Sequence, residues 1–197
     1  MNAEVLLKHF DRMTDALDAI RRLKQFVLDL AVRGKLVEQN HDEEPAPALL
    51  KFIQSEQARL AVTEGIKLES FEPIAPDDAP FEVPSSWTWV RLGNICSKTG
   101  SGSTPRGGKS VYQESGVPFL RSQNIHDDGM RLDDVAYITH QMHAKMSGTA
   151  VRPDDLLLNI TGGSIGRCCR VPTGFGDANV SQHVAIIRLA SRDIYIA

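Results

Sequence analysis

No part of this 197-residue chain is apolar for long: its longest purely aliphatic run is Leu156–Leu158, against the roughly 20 apolar residues that a membrane-spanning helix needs. Met1 to Phe10 lacks the charged start and apolar middle of a signal peptide. The expectation is a soluble, cytoplasmic protein. Cysteine is scarce. Cys96 stands alone and Cys168 and Cys169 are adjacent, so neither a disulfide framework nor a Cys-x-x-Cys ligand pair is available, and reduced thiols are expected. Catalytic signatures are missing as well. There is no Gly-x-Ser-x-Gly elbow, no cysteine in a suggestive histidine context, and no Asn/Asp-Pro-Pro-Tyr segment of the kind amino-methyltransferases use at the target base. No internal repeat or low-complexity tract is present.

Several stretches approach a known motif and fail it. Gly100-Ser-Gly-Ser-Thr-Pro-Arg-Gly-Gly-Lys109-Ser110 has five residues between the first glycine and Gly-Lys-Ser, one more than a phosphate-binding P-loop, and it lacks a buried strand before it and a helix after it. The dinucleotide fingerprint fails at Pro105, where a third glycine is wanted. His140, His143, Cys168 and Cys169 are zinc-ligand types, but adjacent strand cysteines point to opposite faces. The pairs Asp127-Asp128, Asp133-Asp134 and Asp154-Asp155 lack a fitting Glu-x-Lys partner for a nuclease and suit turns. No bound metal is expected, and the chain reads as non-catalytic.

What is present is unevenly distributed. Residues 1–37 hold seven basic and five acidic side chains, residues 38–82 three and eleven, residues 83–197 twelve and nine. The small basic excess at the end does not argue nucleic-acid binding by itself. Leu6, Phe10, Met13, Leu17, Ile20, Leu23, Val27 and Leu30 recur at three- and four-residue spacing, close to a heptad seam, and Gly34 is placed to cap the helix. Glu4 to Val32 would make a rod of roughly 43 Å. It is either a subunit-docking or dimerisation helix, or an amphipathic helix on its own domain. A second stripe (Leu49, Leu50, Ile53, Gln57, Leu60, Ala61) follows Pro45, so residues 1–63 read as a helical hairpin. Residues 64–82 are acidic and proline-dotted, a connector. Residues 83–197 carry short apolar runs at Trp89–Leu92, Val117–Leu120, Val135–Ile138, Leu156–Ile160, Cys168–Val171 and Val184–Leu189, with one short helix near His140–Met146 that Thr139 can cap. The fold class is α+β, with a mixed sheet and irregular loops.

The polar loops of this last region carry DNA-compatible chemistry. Ser101, Ser103 and Thr104 offer hydroxyls on a glycine-rich loop whose Arg106 and Lys109 supply charge for phosphates. In Arg121-Ser122-Gln123-Asn124 the arginine suits guanine O6/N7 and the amides suit adenine N6/N7. Thr161 and Ser164 lie in a turn of small residues that lets a backbone or phosphate approach, with Arg167 beside it as an anchor. Gln182 is expected to be mainly structural, with readout open. A flexible surface loop explains each of these residue types as well.

Three segments in this order resemble the specificity subunits of type I restriction-modification enzymes: Phe81-Glu-Val-Pro-Ser-Ser-Trp87-Thr-Trp89-Val-Arg-Leu-Gly93, Gly116-Val-Pro-Phe-Leu-Arg-Ser-Gln-Asn124 and Asp155-Leu-Leu-Leu-Asn-Ile-Thr-Gly-Gly-Ser-Ile-Gly166. Leu30-Ala-Val-Arg-Gly-Lys-Leu-Val-Glu-Gln39 is also similar to the family. The resemblance implies the N-terminal part of such a subunit with its first DNA target-recognition domain, reading one half of a split site. It also implies a helical segment that docks methyltransferase subunits and, through them, the restriction subunit. S-adenosylmethionine, ATP and Mg²⁺ would then belong to partner chains. The alternative is a coiled-coil protein-binding or regulatory module derived from such a subunit, self-associating and without DNA readout.

Overall fold

The structure, a computed structural model, describes residues 18–40, 42–67 and 71–191. It is α+β, and it divides into two compact units. One holds the described residues up to Phe52 with Glu72–Arg91, the other Ile53–Phe71 with Leu92 onward.

In the first unit, α1 (Ala19–Val32) half-buries Leu23, Phe26, Val27 and Leu30, the three- and four-residue spacing of one helical face. Ile20, expected on that stripe, is instead 66 % exposed and joins Leu28 and Val32 in an outward row. Leu6, Phe10, Met13 and Leu17 lie outside the described residues. The helix ends in a Schellman cap: Lys35 N–H donates to the Leu30 carbonyl at 2.8 Å and Gly34 N–H to that of Ala31 at 3.0 Å. Gly34 has φ +64°, and a Cβ there would strike the Pro84 ring, so glycine is required twice over. Arg33 stacks over Phe81 at 4.4 Å, and Phe81 meets Trp89 edge-on at 4.9 Å. Two of the family-like segments, Leu30–Gln39 and Phe81–Gly93, thus pack together around Phe81.

A second helix, α2 (Ala46–Glu64), starts just after Pro45 and runs from the first unit into the second. Its expected stripe is borne out: Ile53 and Gln57 are buried, and Leu49, Leu50, Leu60 and Ala61 half-buried. Gln57 Nε2 donates to the Cys96 carbonyl at 2.7 Å, which satisfies a polar group on the buried face.

The second unit is built from β1 (Cys96–Ser101), β2 (Val117–Leu120), β3 (Ile125–His126), β4 (Gly129–Met130), β5 (Ala136–Ile138), α3 (His140–Lys145), β6 (Leu156–Asn159), β7 (Cys168–Arg170), β8 (Asn179–Val180) and β9 (Val184–Leu189). An antiparallel sheet has the order β1-β9-β6-β7 and a mixed one β5-β2-β8, with β2 parallel to β8; β3 and β4 form a hairpin. Leu120, Ile125, Leu157, Val171, Val180, Val184 and Ile186 are fully buried in one core cluster, each worth roughly 1.5–3 kcal/mol of burial. Val117, Phe119 and Ile138 form a second cluster.

The runs expected to be strands at 117–120, 135–138, 156–160, 168–171 and 184–189 are strands within a residue or two. Thr139 caps α3, its Oγ1 accepting from Met142 N–H at 3.1 Å. Trp89–Leu92 is not a strand. Trp89 turns its ring to Phe81, Arg91 and Leu92 are exposed, and the chain passes into a 3-10 turn at Leu92–Ile95.

Candidate nucleic-acid interface

Loops that leave β1, β2, β6 and β8 are drawn to one place by hydrogen bonds. Gly102 N–H donates to the Val184 carbonyl at 2.9 Å, and Ser103 N–H to that of Val180 at 3.1 Å. Ser181 N–H donates to the Leu120 carbonyl at 2.9 Å, just before Arg121, and Ile160 N–H to that of His183 at 3.0 Å. Thr161 Oγ1 lies 2.7 Å from His183 Nδ1. The end of β6 completes the set: Asn159 Nδ2 donates to the Ser122 carbonyl at 2.9 Å and to Ser164 Oγ at 3.0 Å. All four loops singled out in the sequence therefore converge.

Their side chains divide into two groups. Ser101, Ser103, Thr104, Arg106, Lys109, Gln123, Thr161, Arg167 and Gln182 are exposed. Arg106, Lys109 and Arg167 have no ion-pair partner among the described residues. Gln182, expected to be mainly structural with readout open, is exposed, and its neighbour Ser181 is the buried one, at 3 % exposure.

Asn124 is the clearest departure from the expectation of base contact. It is 2 % exposed; its Oδ1 accepts from Arg121 N–H at 2.9 Å and its Nδ2 donates to the Arg131 carbonyl at 2.9 Å, so both ends of the amide are consumed in closing the turn. Arg121 is half-buried and donates through Nη2 to the Asp134 carbonyl at 2.9 Å, bracing the turn before β5. Ser122 and Ser164 are half-buried, Ser122 contributing its carbonyl rather than its hydroxyl to the Asn159 contact. Sequence reasoning gave no role to Asn159, His183 or Asn179. The one signal was a carboxamide closing an otherwise aliphatic strand. Asn179, buried in β8, holds His143 Nδ1 at 2.6 Å and donates to the Met146 carbonyl at 2.9 Å, which gives that histidine a packing role.

Charge is polarised along the antiparallel sheet. At the end opposite the loops, where β6 begins and β7 and β9 finish, a cleft of about 250 Å³ is lined by Arg152, Arg170, Arg188, Glu64, Asp154 and Asp155 among others. Each arginine there has a carboxylate: Arg152–Glu64 at 3.0 Å, Arg170–Asp154 at 2.6 Å and Arg188–Asp155 at 2.7 Å. Arg106, Lys109 and Arg167, on the loops at the other end, have no carboxylate partner among the described residues, so they can meet a polyanion without first breaking an internal pair.

Nucleophilic chemistry finds little support in the site. Burial pushes the Cys96 and Cys169 thiols up to about 11, and burial with the nearby Asp127 raises Cys168, so none is an activated thiolate at neutral pH. Among the described residues, no three His, Cys, Asp or Glu side chains gather as a metal would need. Also among them, no helix is long and apolar enough to cross a membrane.

The second unit is thus an α+β body whose irregular loops converge on one polar surface. Over 155 residues, 78 % of this chain, the sequence is 34 % identical to the type I restriction enzyme EcoAI specificity subunit of Escherichia coli. Over 112 residues it is 38 % identical to the type I restriction enzyme EcoEI specificity subunit of the same organism, a match that covers 53 % of this chain and 19 % of that protein. The chain belongs with the type I specificity subunits as a partial counterpart, since it spans about a quarter of the length (26 %) of the EcoAI relative. No family model matches it. Among solved structures, the HsdS subunit from Thermoanaerobacter tengcongensis is similar at 19 % identity and a TM-score of 0.41, covering 73 % of this chain and 32 % of that one. A chain from a study of complex assembly and conformational transition in the type I R-M system is similar at 20 % identity and a TM-score of 0.43, covering 87 % and 36 %.

Proposed function

We propose that this chain is a non-catalytic DNA-recognition part of a type I specificity subunit, whose loop end reads one half of a split target. The observation that carries the reading is the convergence of four loops on one surface, with exposed Gln123 and Gln182 as hydrogen-bonding groups and with exposed Arg106, Lys109 and Arg167 on the same loops, in no ion pair among the described residues. Amides of this kind can pair with adenine N6/N7, and the cations can neutralise phosphates. Methylation, translocation and cleavage, with S-adenosylmethionine, ATP and Mg²⁺, would rest with partner chains in the cytoplasm.

The outward row Ile20, Leu28 and Val32 on α1 supports a docking role for that helix toward methyltransferase subunits, and through them the restriction subunit. Residues 38–82, with eleven acidic against three basic side chains, would repel DNA and suit a basic protein face. The same row favours the alternative of a self-associating protein-binding module without DNA readout.

Selection of duplexes from a randomised pool, with the methyltransferase partner present, should enrich one sequence. Titration of that duplex and a scrambled one at two salt concentrations should show a clear preference for the first. Equal affinity for both duplexes refutes the specificity assignment. If light scattering then shows self-association indifferent to DNA, the protein-binding alternative stands in its place.

A further inference from the structure

We propose that Asn159 is a positioning residue for sequence readout: it fastens the 121–124 turn and the 161–167 loop into one rigid surface, so that neither contacts DNA independently. The inference rests on the DNA-reading function above. Asn159 ends the otherwise aliphatic β6 and is 1 % exposed. An apolar side chain would be the ordinary choice for such a position, because a buried amide must recover its lost hydration through hydrogen bonds. Here the amide spends both Nδ2 hydrogens on different loops, one on the Ser122 carbonyl and one on Ser164 Oγ. The backbone repeats the tie, since Gly166 N–H donates to the Asn159 carbonyl and Asn159 N–H to that of Arg167, each at 2.9 Å.

On its far side the 161–167 loop is held again, by Thr161 to His183. Exposed Gln123, Arg167 and Gln182 consequently sit on three loops whose spacing is set from below. Base-edge recognition needs such fixed spacing, because paired hydrogen bonds tolerate only small misplacement of the side chains that make them. Asn159 Oδ1, Ser181 Oγ and Arg121 Nε are buried without a protein partner among the described residues, and each belongs to this junction. Polar side chains are thus kept there at a cost in stability that apolar ones would avoid, which argues for a duty other than packing.

The test uses the full chain and two variants. Ser164→Ala removes one tie from the rim, and Asn159→Asp turns an attractive contact with the Ser122 carbonyl into a repulsive one. Each should lower the preference for the selected duplex over the scrambled one, Asn159→Asp by about tenfold. For Ser164→Ala, affinity for the scrambled duplex and its salt dependence should stay as in the wild type; the added negative charge of Asn159→Asp should weaken both duplexes, the selected one more. Hydrogen exchange without DNA should speed up in both loops together. Preference retained in the folded variants overturns the proposal, as does equal loss of affinity for both duplexes, or loosening of one loop without the other. Should Asn159→Asp not fold, Ser164→Ala decides by the same readouts. A wild-type chain that prefers no duplex instead sinks the DNA-reading function, and the exchange measurement still reports whether the loops are coupled.

Discussion

Gly102, with Ser103, fixes the alignment of the first loop. Gly102 is buried where the chain leaves β1, with its N–H on the Val184 carbonyl, and a Cβ there would collide with the Val180 and Ser181 carbonyl oxygens. Neither oxygen can retreat easily: Val180 O accepts from Ser103 and Ser181 O from Val184. Gly102→Ala should therefore destabilise the second unit by about 1–3 kcal/mol, the range for forcing an extra carbon into a packed region. Urea unfolding of the wild type and variant measures the difference. An unchanged midpoint would mean that the backbones do not approach this closely. Asn124 teaches a related lesson at the same scale. Residue type made it a candidate reader, yet in a tight turn the short amide closes on its own backbone, and sequence alone does not say which of two neighbouring amides will do so.

At the scale of elements, the start of β6 is fastened to the end of β9 by the buried pair of Asp155, with no exposed surface, and Arg188. Two hydrogen bonds of 2.7 Å join them, and Asp155 Oδ2 also accepts from Arg152 N–H at 2.7 Å. Arg188→Met would leave that carboxylate buried without its cation, and a loss of about 3–5 kcal/mol is expected. Arg170→Met, which breaks a pair whose arginine is largely exposed, should cost no more than about 1 kcal/mol. Chemical denaturation of both variants gives the contrast, and equal costs would show that Asp155 is not isolated from water. Elements differ in how legible they were for a physical reason. β2 and β9 are mostly apolar and largely buried, and announce themselves. β1 reads Cys-Ser-Lys-Thr-Gly-Ser, carries almost no apolar signal, and exists because β9 supplies its hydrogen bonds from one side, as an edge strand. The polar loops could be picked out by composition. Their convergence could not, because it depends on sheet order, which leaves no mark on local sequence.

For the molecule as a whole, a formal charge of −3 misleads, because the acids and bases are not mixed evenly. Much of the acidity lies in residues 38–82, and at one end of the antiparallel sheet the arginines are consumed by carboxylates. Arg106, Lys109 and Arg167 remain at the loop end without such partners among the described residues. If these cations contact phosphates, log affinity should fall linearly with log salt, by a slope of about −0.9 for each phosphate neutralised. Removing any one of the three by alanine should flatten the slope by about one and weaken selected and scrambled duplexes alike, since phosphate contacts carry no sequence information. Arg170→Ala, at the other end of the same sheet, should leave the slope unchanged. Fluorescence anisotropy between about 50 and 200 mM salt resolves these differences. A slope insensitive to all three loop cations, or equally sensitive to Arg170, would place the DNA elsewhere on the protein and separate the convergence of the loops from the binding of nucleic acid.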